Sequence, residues 1–147
     1  MTQAINAFGT LLMVGDGNIS PGPEVFAVIA EVKAIGDFGL GGSVFDATNH
    51  SSTGGFEESV ASRIKRWEEF DVGVNFIPTD PTQNMTTGLW SMVGDGLAHN
   101  FKMQLTDSGT TTWGFAARVM SGRQTTPLDG ILDAVFRLKP TGAPTYG

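Results

Sequence analysis

Phe70-Asp71-Val72-Gly73-Val74-Asn75-Phe76 is the stretch whose reading decides the fold. Phe70, Val72, Val74 and Phe76 point one way and Asp71, Gly73 and Asn75 the other. This two-residue period is that of a half-buried β-strand. A polar turn follows, and Asp80-Pro81-Thr82-Gln83 then reads as a helix start. The Asp80 carboxylate can accept a bond from an orphan N–H, and Pro81 suits the first helical position. Met85, Leu89, Met92 and Val93 share one face of a helix predicted over about 81–93, which Gly94-Asp95-Gly96 stops.

The flanking segments read as further strands. Phe8 to Val14 carries Phe8, Thr10, Leu12 and Val14 on one face. Val25 to Val32 is the most β-prone run and is apolar on both faces, as expected of a strand covered on both sides. Phe56 to Lys65, Asn100 to Leu105, Trp113 to Val119 and Ile131 to Leu138 complete the set, with Asp107-Ser108-Gly109 as a hairpin turn. The last three alternate cleanly, placing Phe101, Met103 and Leu105, then Trp113, Phe115, Ala117 and Val119, then Leu132, Ala134, Phe136 and Leu138 on their core faces. The expectation is a mainly β protein: an antiparallel sandwich or barrel with one short flanking helix, in one domain spanning 1–147. Residues 1–7 and 140–147 read as terminal arms, and Ser20-Pro21-Gly22-Pro23 as loop. Val-Gly-Asp-Gly occurs at 14–17 and 93–96, which reads as a turn used twice rather than a duplication.

Between Asp37 and Gly55 the chain is rich in Gly, Ser, Thr and Asn, yet it carries Phe38, Leu40, Val44 and Phe45. A loop of this length is uncommon in a compact domain. Apolar side chains on such a loop need cover, from a partner subunit or from the loop itself. The favoured expectation is that these four residues make contacts between subunits.

Composition narrows the function classes. Charged residues are 16% of the 147, against a usual ~25%. Either much of the surface meets other protein, or this is a lightly charged monomer. The net charge of −6 argues against clinging to nucleic acid or anionic lipid. The one basic cluster, Arg63, Lys65 and Arg66, is followed at once by Glu68, Glu69 and Asp71. That favours a solvated strand or an ion pair between subunits over a nucleic-acid site. There is no cysteine, so disulfides and thiolate chemistry are excluded. No apolar run is long enough for a membrane-spanning helix, and the start lacks the pattern of a signal peptide; a cytoplasmic origin is expected.

Reactive groups are sparse. His50 and His99 lack zinc-ligand spacing, and no nucleophile elbow appears. Gly39-Leu40-Gly41-Gly42 has no Lys-Ser or Lys-Thr after it, and Gly94-Asp95-Gly96 lacks the alternating ligands of a calcium loop. Glu57-Glu58 and Glu68-Glu69 are adjacent pairs, which a strand sends to opposite faces. No catalytic, cofactor or metal constellation results. Trp67, Trp90 and Trp113 leave open an aromatic carbohydrate platform, although packing accounts for Trp90 and Trp113.

Several pieces in order carry a resemblance: Phe8-Gly9-Thr10, Phe26 to Val32, Phe45-Asp46-Ala47-Thr48-Asn49-His50, Val72 to Phe76 leading through Asp80-Pro81-Thr82, and Leu132 to Gly142. Together they resemble the major tail tube proteins of long-tailed, siphovirus-type bacteriophages over nearly the whole chain. The resemblance implies a structural virion protein with no catalytic residues, a β-sandwich or barrel with one helix. It implies six copies in a ring and rings stacked into a tube through which DNA passes without specific binding. It further implies tail-tip initiator and terminator proteins as partners, a place in the virion tail, and assembly in the host cytoplasm. Asp37–Gly55 would then stack rings, with the termini as arms. Acids facing the lumen would let DNA slide, and Glu57, Glu68, Asp71 and Asp133 are the strand candidates. The rival readings are the tube of a contractile or gene-transfer particle, and a monomeric β-sandwich that binds carbohydrate or decorates a particle.

Overall fold

The computed structural model describes residues 4–17 and 23–147. Residues 1–3 of the expected N-terminal arm and the predicted loop over 20–22 lie outside them. Eleven strands are present among the described residues: β1 (Leu11–Gly15), β2 (Phe26–Val28), β3 (Val32–Ile35), β4 (Leu40–Gly41), β5 (Val44–Asp46), β6 (Ser59–Ala61), β7 (Arg66–Trp67), β8 (Phe70–Asn75), β9 (His99–Gln104), β10 (Thr112–Thr125) and β11 (Asp133–Tyr146). One α-helix, α1 (Leu89–Met92), precedes β9. Seven strands form a sheet in the order β2-β1-β9-β10-β11-β8-β3, antiparallel at every pairing. The fold is mainly β, as expected from the period-two runs.

The sheet is built on the hairpin of β10 and β11, each 14 residues long. The first half of β10 pairs with β9, and the first half of β11 pairs with β8. Two irregularities bend this hairpin, one between Gly114 and Ala116 and one between Val119 and Ser121. Met120 is the extra residue at the second, so the inward set changes parity from Phe115, Ala117 and Val119 to Gly122. Gly122 faces Phe136 and Trp90, and a Cβ there would meet both rings at 3.0–3.1 Å, so glycine leaves the room they occupy.

Both halves of the bent sheet send side chains into one core: Leu12 and Val14, Phe101 and Met103, Phe70, Val72 and Val74, and Ala134, Phe136 and Leu138. The outer strands, β2 and β3, are consecutive in sequence and are joined by Ile29-Ala30-Glu31 alone. Four Cα steps span at most about 15 Å, so the edges of the sheet are drawn together. They do not pair, and the barrel stays open. Along the seam lies a cavity of about 760 Å³ lined by residues that include Leu11, Leu12, Val32, Ile35, Phe38 and Met103.

The predicted single strand Val25–Val32 is thus two strands on opposite edges. The break is pinned from the connection after β8. Ala30 N–H donates to Thr82 Oγ1 at 3.2 Å, and Gln83 Nε2 donates to the Ala30 carbonyl at 2.6 Å. Gln83 Oε1 accepts from Ile77 N–H at 2.9 Å, and Gln83 is fully buried. Glu31, with φ 49°, turns the chain into β3, and its carbonyl accepts from Asn75 N–H.

The helix is shorter than the pattern predicts. Asp80 does start a turn, accepting from Thr82 N–H at 2.8 Å, and Asn84 N–H reaches the Asp80 carbonyl. Asn84 then ends it, because its Oδ1 accepts from the backbone of Thr86, Thr87 and Gly88. A side-chain acceptor that captures those donors competes with helix propagation. Helix resumes only at Leu89, so Leu89 and Met92 are buried while Met85 is exposed.

Other expectations change as well. Phe8 is 90% exposed, ahead of a strand that starts at Leu11. Residues 140–147 are no arm: β11 runs to Tyr146, pairs Thr141 with Ala116 and Tyr146 with Trp113, and Gly147 exchanges two backbone bonds with Thr112. The Asp37–Gly55 region is ordered into β4, β5 and a 3-10 turn at Thr53–Gly55. The two Val-Gly-Asp-Gly copies end alike, with Gly17 at φ 74° and Gly96 at φ 75°.

Two stability outcomes follow from this packing. Gln83→Ala leaves the half-buried Ala30 carbonyl and Ile77 N–H without their partner and opens a space in the core, and is expected to cost about 1–3 kcal/mol. Phe38→Ala removes a ring packed against Trp67, Phe70, Trp113 and Phe115 and is expected to cost about 2–3 kcal/mol. Urea unfolding of each variant checks both. An unchanged midpoint for Phe38→Ala would return that residue to the outside of the protein.

Candidate assembly surfaces

The region after β3 contains two different structures. Close to the sheet, β4 pairs with β7 (Leu40 with Trp67, Gly41 with Arg66) and closes over the Phe38 cluster. Trp67 Nε1 donates to the Gly142 carbonyl at 2.7 Å, and Lys139 Nζ donates to the Trp67 carbonyl at 2.6 Å. Phe38 is therefore half-buried and packed against the core of its own chain, unlike Val44 and Phe45. Its apolar neighbours on three strands give it cover inside the chain.

Beyond β4 the chain runs out as a ribbon. β5 and β6 pair Val44 with Ala61, Phe45 with Val60 and Asp46 with Ser59, and Ser62 N–H closes the base on the Ser43 carbonyl. Thr48 Oγ1 accepts from Glu58 N–H at 2.9 Å, and Asn49 and Ser52 cap the tip. Hydrogen bonds from Thr48 hold the Asp46 carboxyl below its usual range. Every strand residue of the ribbon is exposed, and among the described residues no third strand joins it. A lone two-stranded hairpin is marginal in water. Yet Val44, Phe45, Phe56, Val60 and Ile64 are 57–75% exposed here. Phe45 and Val60 sit directly opposite each other and form one apolar face. Leu40 is 42% exposed at the root.

The predicted acids fall in three places. Asp71 and Asp133 lie on the outward face of β8 and β11, between inward neighbours. Asp71 accepts from Arg137 Nε at 3.1 Å and Asp133 pairs with Lys33 Nζ at 2.7 Å. The Asp71 hydrogen bond, with Glu69 near Arg137 as well, raises the Arg137 guanidinium above its ordinary value. Glu57 is on the distal part of the ribbon and Glu68 follows β7 beside Gly41. The four acids do not converge on one patch.

The other candidates resolve by packing. Trp67 is buried, Trp113 packs on Phe38 and Tyr146, and Trp90 packs on Phe76 and Phe136. No three-tryptophan platform faces outward. His99 Nε2 lies 2.8 Å from Asp95 at the start of β9, and His50 is at the exposed ribbon tip. No group of three or more His, Cys, Asp or Glu with metal-binding geometry occurs among the described residues. No helix of the structure is long and apolar enough to cross a membrane.

A second set of exposed apolar residues escaped the sequence reading. Leu128 is fully exposed and Ile131 67% exposed at the tip of the β10–β11 hairpin, and Met85 and Leu97 are exposed on the connection that holds α1. Pro127 and Gly130 mark the hairpin tip as a turn, but nothing in a turn's composition tells that it projects past the sheet.

No known family profile and no curated protein sequence matches the chain. Solved structures do match over nearly its full length. It superposes on a chain from the virion of a native gene transfer agent particle with TM-score 0.71 and 16% identity, covering 98% of this chain and 99% of that one. For a chain from the tail of an empty gene transfer agent particle with C6 symmetry the values are 0.73 and 17%, again with 98% and 99% covered. For the SPP1 tail tube they are 0.69 and 9%, with 98% of this chain and 79% of that one. The chain thus has the fold of these tail and tail-tube proteins, as the resemblance in its sequence implied.

Proposed function

We propose that this protein is the structural subunit of a phage-type tail tube, in which six copies close a ring and stacked rings form a conduit for DNA. It acts by binding copies of itself, not by catalysis. The observation that carries the reading is the full-length likeness to proteins of six-fold tails, in a chain whose ribbon exposes apolar residues on both faces. Val44 and Phe45, with Leu40 at the root, then make contacts between subunits. The ribbon over 43–62 is the stacking element, in place of the whole 37–55 segment.

Tail-tip and terminator proteins are the partners at the two ends of such a tube, and its location is the virion tail after assembly in the host cytoplasm. For the channel wall, Asp71 and Asp133 share a sheet face, while Glu57 and Glu68 do not belong to it. On that face Arg137 and Lys33 are already held by acids, which leaves them less free to bind phosphate. A gene transfer particle is a second setting for the same assembly, favoured by the two likenesses at 16–17% identity.

Light scattering across a concentration series, with negative-stain microscopy, tests the reading. Rings or tubes with a central channel are expected, formed spontaneously or on added tail-tip complexes. Phe45→Asp with Val60→Asp is expected to leave unfolding within about 0.5 kcal/mol of the parent, since both side chains are exposed, and to abolish tubes. Tubes at the parent's threshold in that variant would remove the ribbon from the assembly. A parent that stays monomeric even on tail-tip complexes would sink the tube reading itself.

A further inference from the structure

The ribbon carries a separation of charge that forms no ion pair among the described residues of its own chain. Asp46, Glu57 and Glu58 lie on its distal half, and Arg63, Lys65 and Arg66 at its base; all six are exposed. Lys33–Asp133, His99–Asp95, Arg137–Glu69 and Arg137–Asp71 form ion pairs, and none of these involves the six. The sequence suggests that Glu68, Glu69 and Asp71 cancel the basic cluster. In the fold β11 takes two of those acids through Arg137, and only Glu68 is left beside the three cations.

The two charged groups do not meet within one chain: Glu58 and Arg63 stand on either side of β6, Arg63 in the bend that follows it, and no ion pair joins them. Each group has apolar neighbours. Phe45 and Val60 stand beside the acids, and Ile64, 60% exposed, stands between the cations. Each end of the ribbon is thus an apolar centre with charge at its rim, the usual layout of an interface, and the two rims have opposite sign.

We infer that the distal half of one copy's ribbon docks on the ribbon base of the next copy, with Asp46, Glu57 and Glu58 facing that copy's Arg63, Lys65 and Arg66. The inference rests on the tube reading and names the receiving surface. The contact is heterologous: each copy offers one tip and one base, so it joins a copy in one ring to a copy in the next and repeats along the stack. Apolar burial supplies the attraction, and the charges set the offset, because a ribbon placed tip to tip brings like charges together.

Complementary charge reversal tests this. Glu57→Lys with Glu58→Lys makes tip and base both basic, and Arg63→Glu with Lys65→Glu makes both acidic. Each double variant alone is expected to raise the concentration at which the protein assembles by about tenfold or more, as several rim pairs turn from attraction to repulsion. An equimolar mixture alternates acidic tips on basic bases and basic tips on acidic bases, and is expected to assemble within about threefold of the parent. Near-ultraviolet circular dichroism of the core tryptophans is expected to be unchanged, which separates docking from folding. Assembly of either variant at the parent's threshold, or a mixture no better than its components, overturns the docking while leaving the tube reading in place. A parent that never assembles takes down the tube reading and this inference together.

Discussion

Ala30 is held on both sides of its own residue: its N–H by Thr82 and its carbonyl by the buried side chain of Gln83. The rest of the sheet depends on this clamp. It fixes the three residues that carry the chain from one edge of the sheet to the other, so it decides that seven strands curl around one core instead of fanning out. The sheet's own hydrogen bonds do not do this, because β2 and β3 never pair. A buried glutamine is costly unless every polar atom finds a partner. Here Oε1 takes the Ile77 N–H, so the side chain ties the start of the helical connection and the β2–β3 link together.

That clamp also marks the limit of what the sequence makes legible. Alternation reports faces reliably, and Phe101, Phe115, Ala117, Phe136 and Leu138 are buried as their period requires. Val25 to Val32 satisfies the same rule equally well as one strand or as two, since its apolar run gives no sign that Glu31 adopts φ 49°. The information that breaks the run sits fifty residues away in Thr82 and Gln83. The helix shows the converse. Apolar spacing from Met85 to Val93 is genuine, but one side chain, Asn84, intercepts three backbone donors and shortens it to a turn. Periodicity measures which face is apolar, and it does not weigh a local competitor for the backbone.

The candidate surfaces divide in the same way. Phe38, Leu40, Val44 and Phe45 look alike as apolar residues on a glycine-rich stretch, and Val44 and Phe45 are the two that stand out in solvent on a ribbon. Phe38 differs because Trp67, Phe70, Trp113 and Phe115 converge on it from three other strands, a long-range fact with no local signature. The acids repeat the lesson. Asp71 and Asp133 can be placed outward from alternation, but their neutralisation by Arg137 and Lys33 comes from register between β8, β11 and β3, which the sequence does not state.

The division into a packed body and an exposed ribbon bears on how a tube of the proposed kind grows. The body buries a core of its own, with the Trp90 indole N–H left as a buried donor without a partner, so the core is complete within one copy. The ribbon has two strands, exposed apolar faces and no third layer, so its order is marginal until a second copy covers it. The entropy of ordering it is then charged to the first contacts, where one ribbon is covered but few neighbours yet hold it. Later copies join a partly ordered rim and meet a smaller cost. A slow start followed by fast growth is the expected kinetic form, and an initiator that presents a preformed receiving surface removes the slow step. On the proposed reading, stability of the single chain rests on Gln83 and the core, and readiness to polymerise rests on the ribbon.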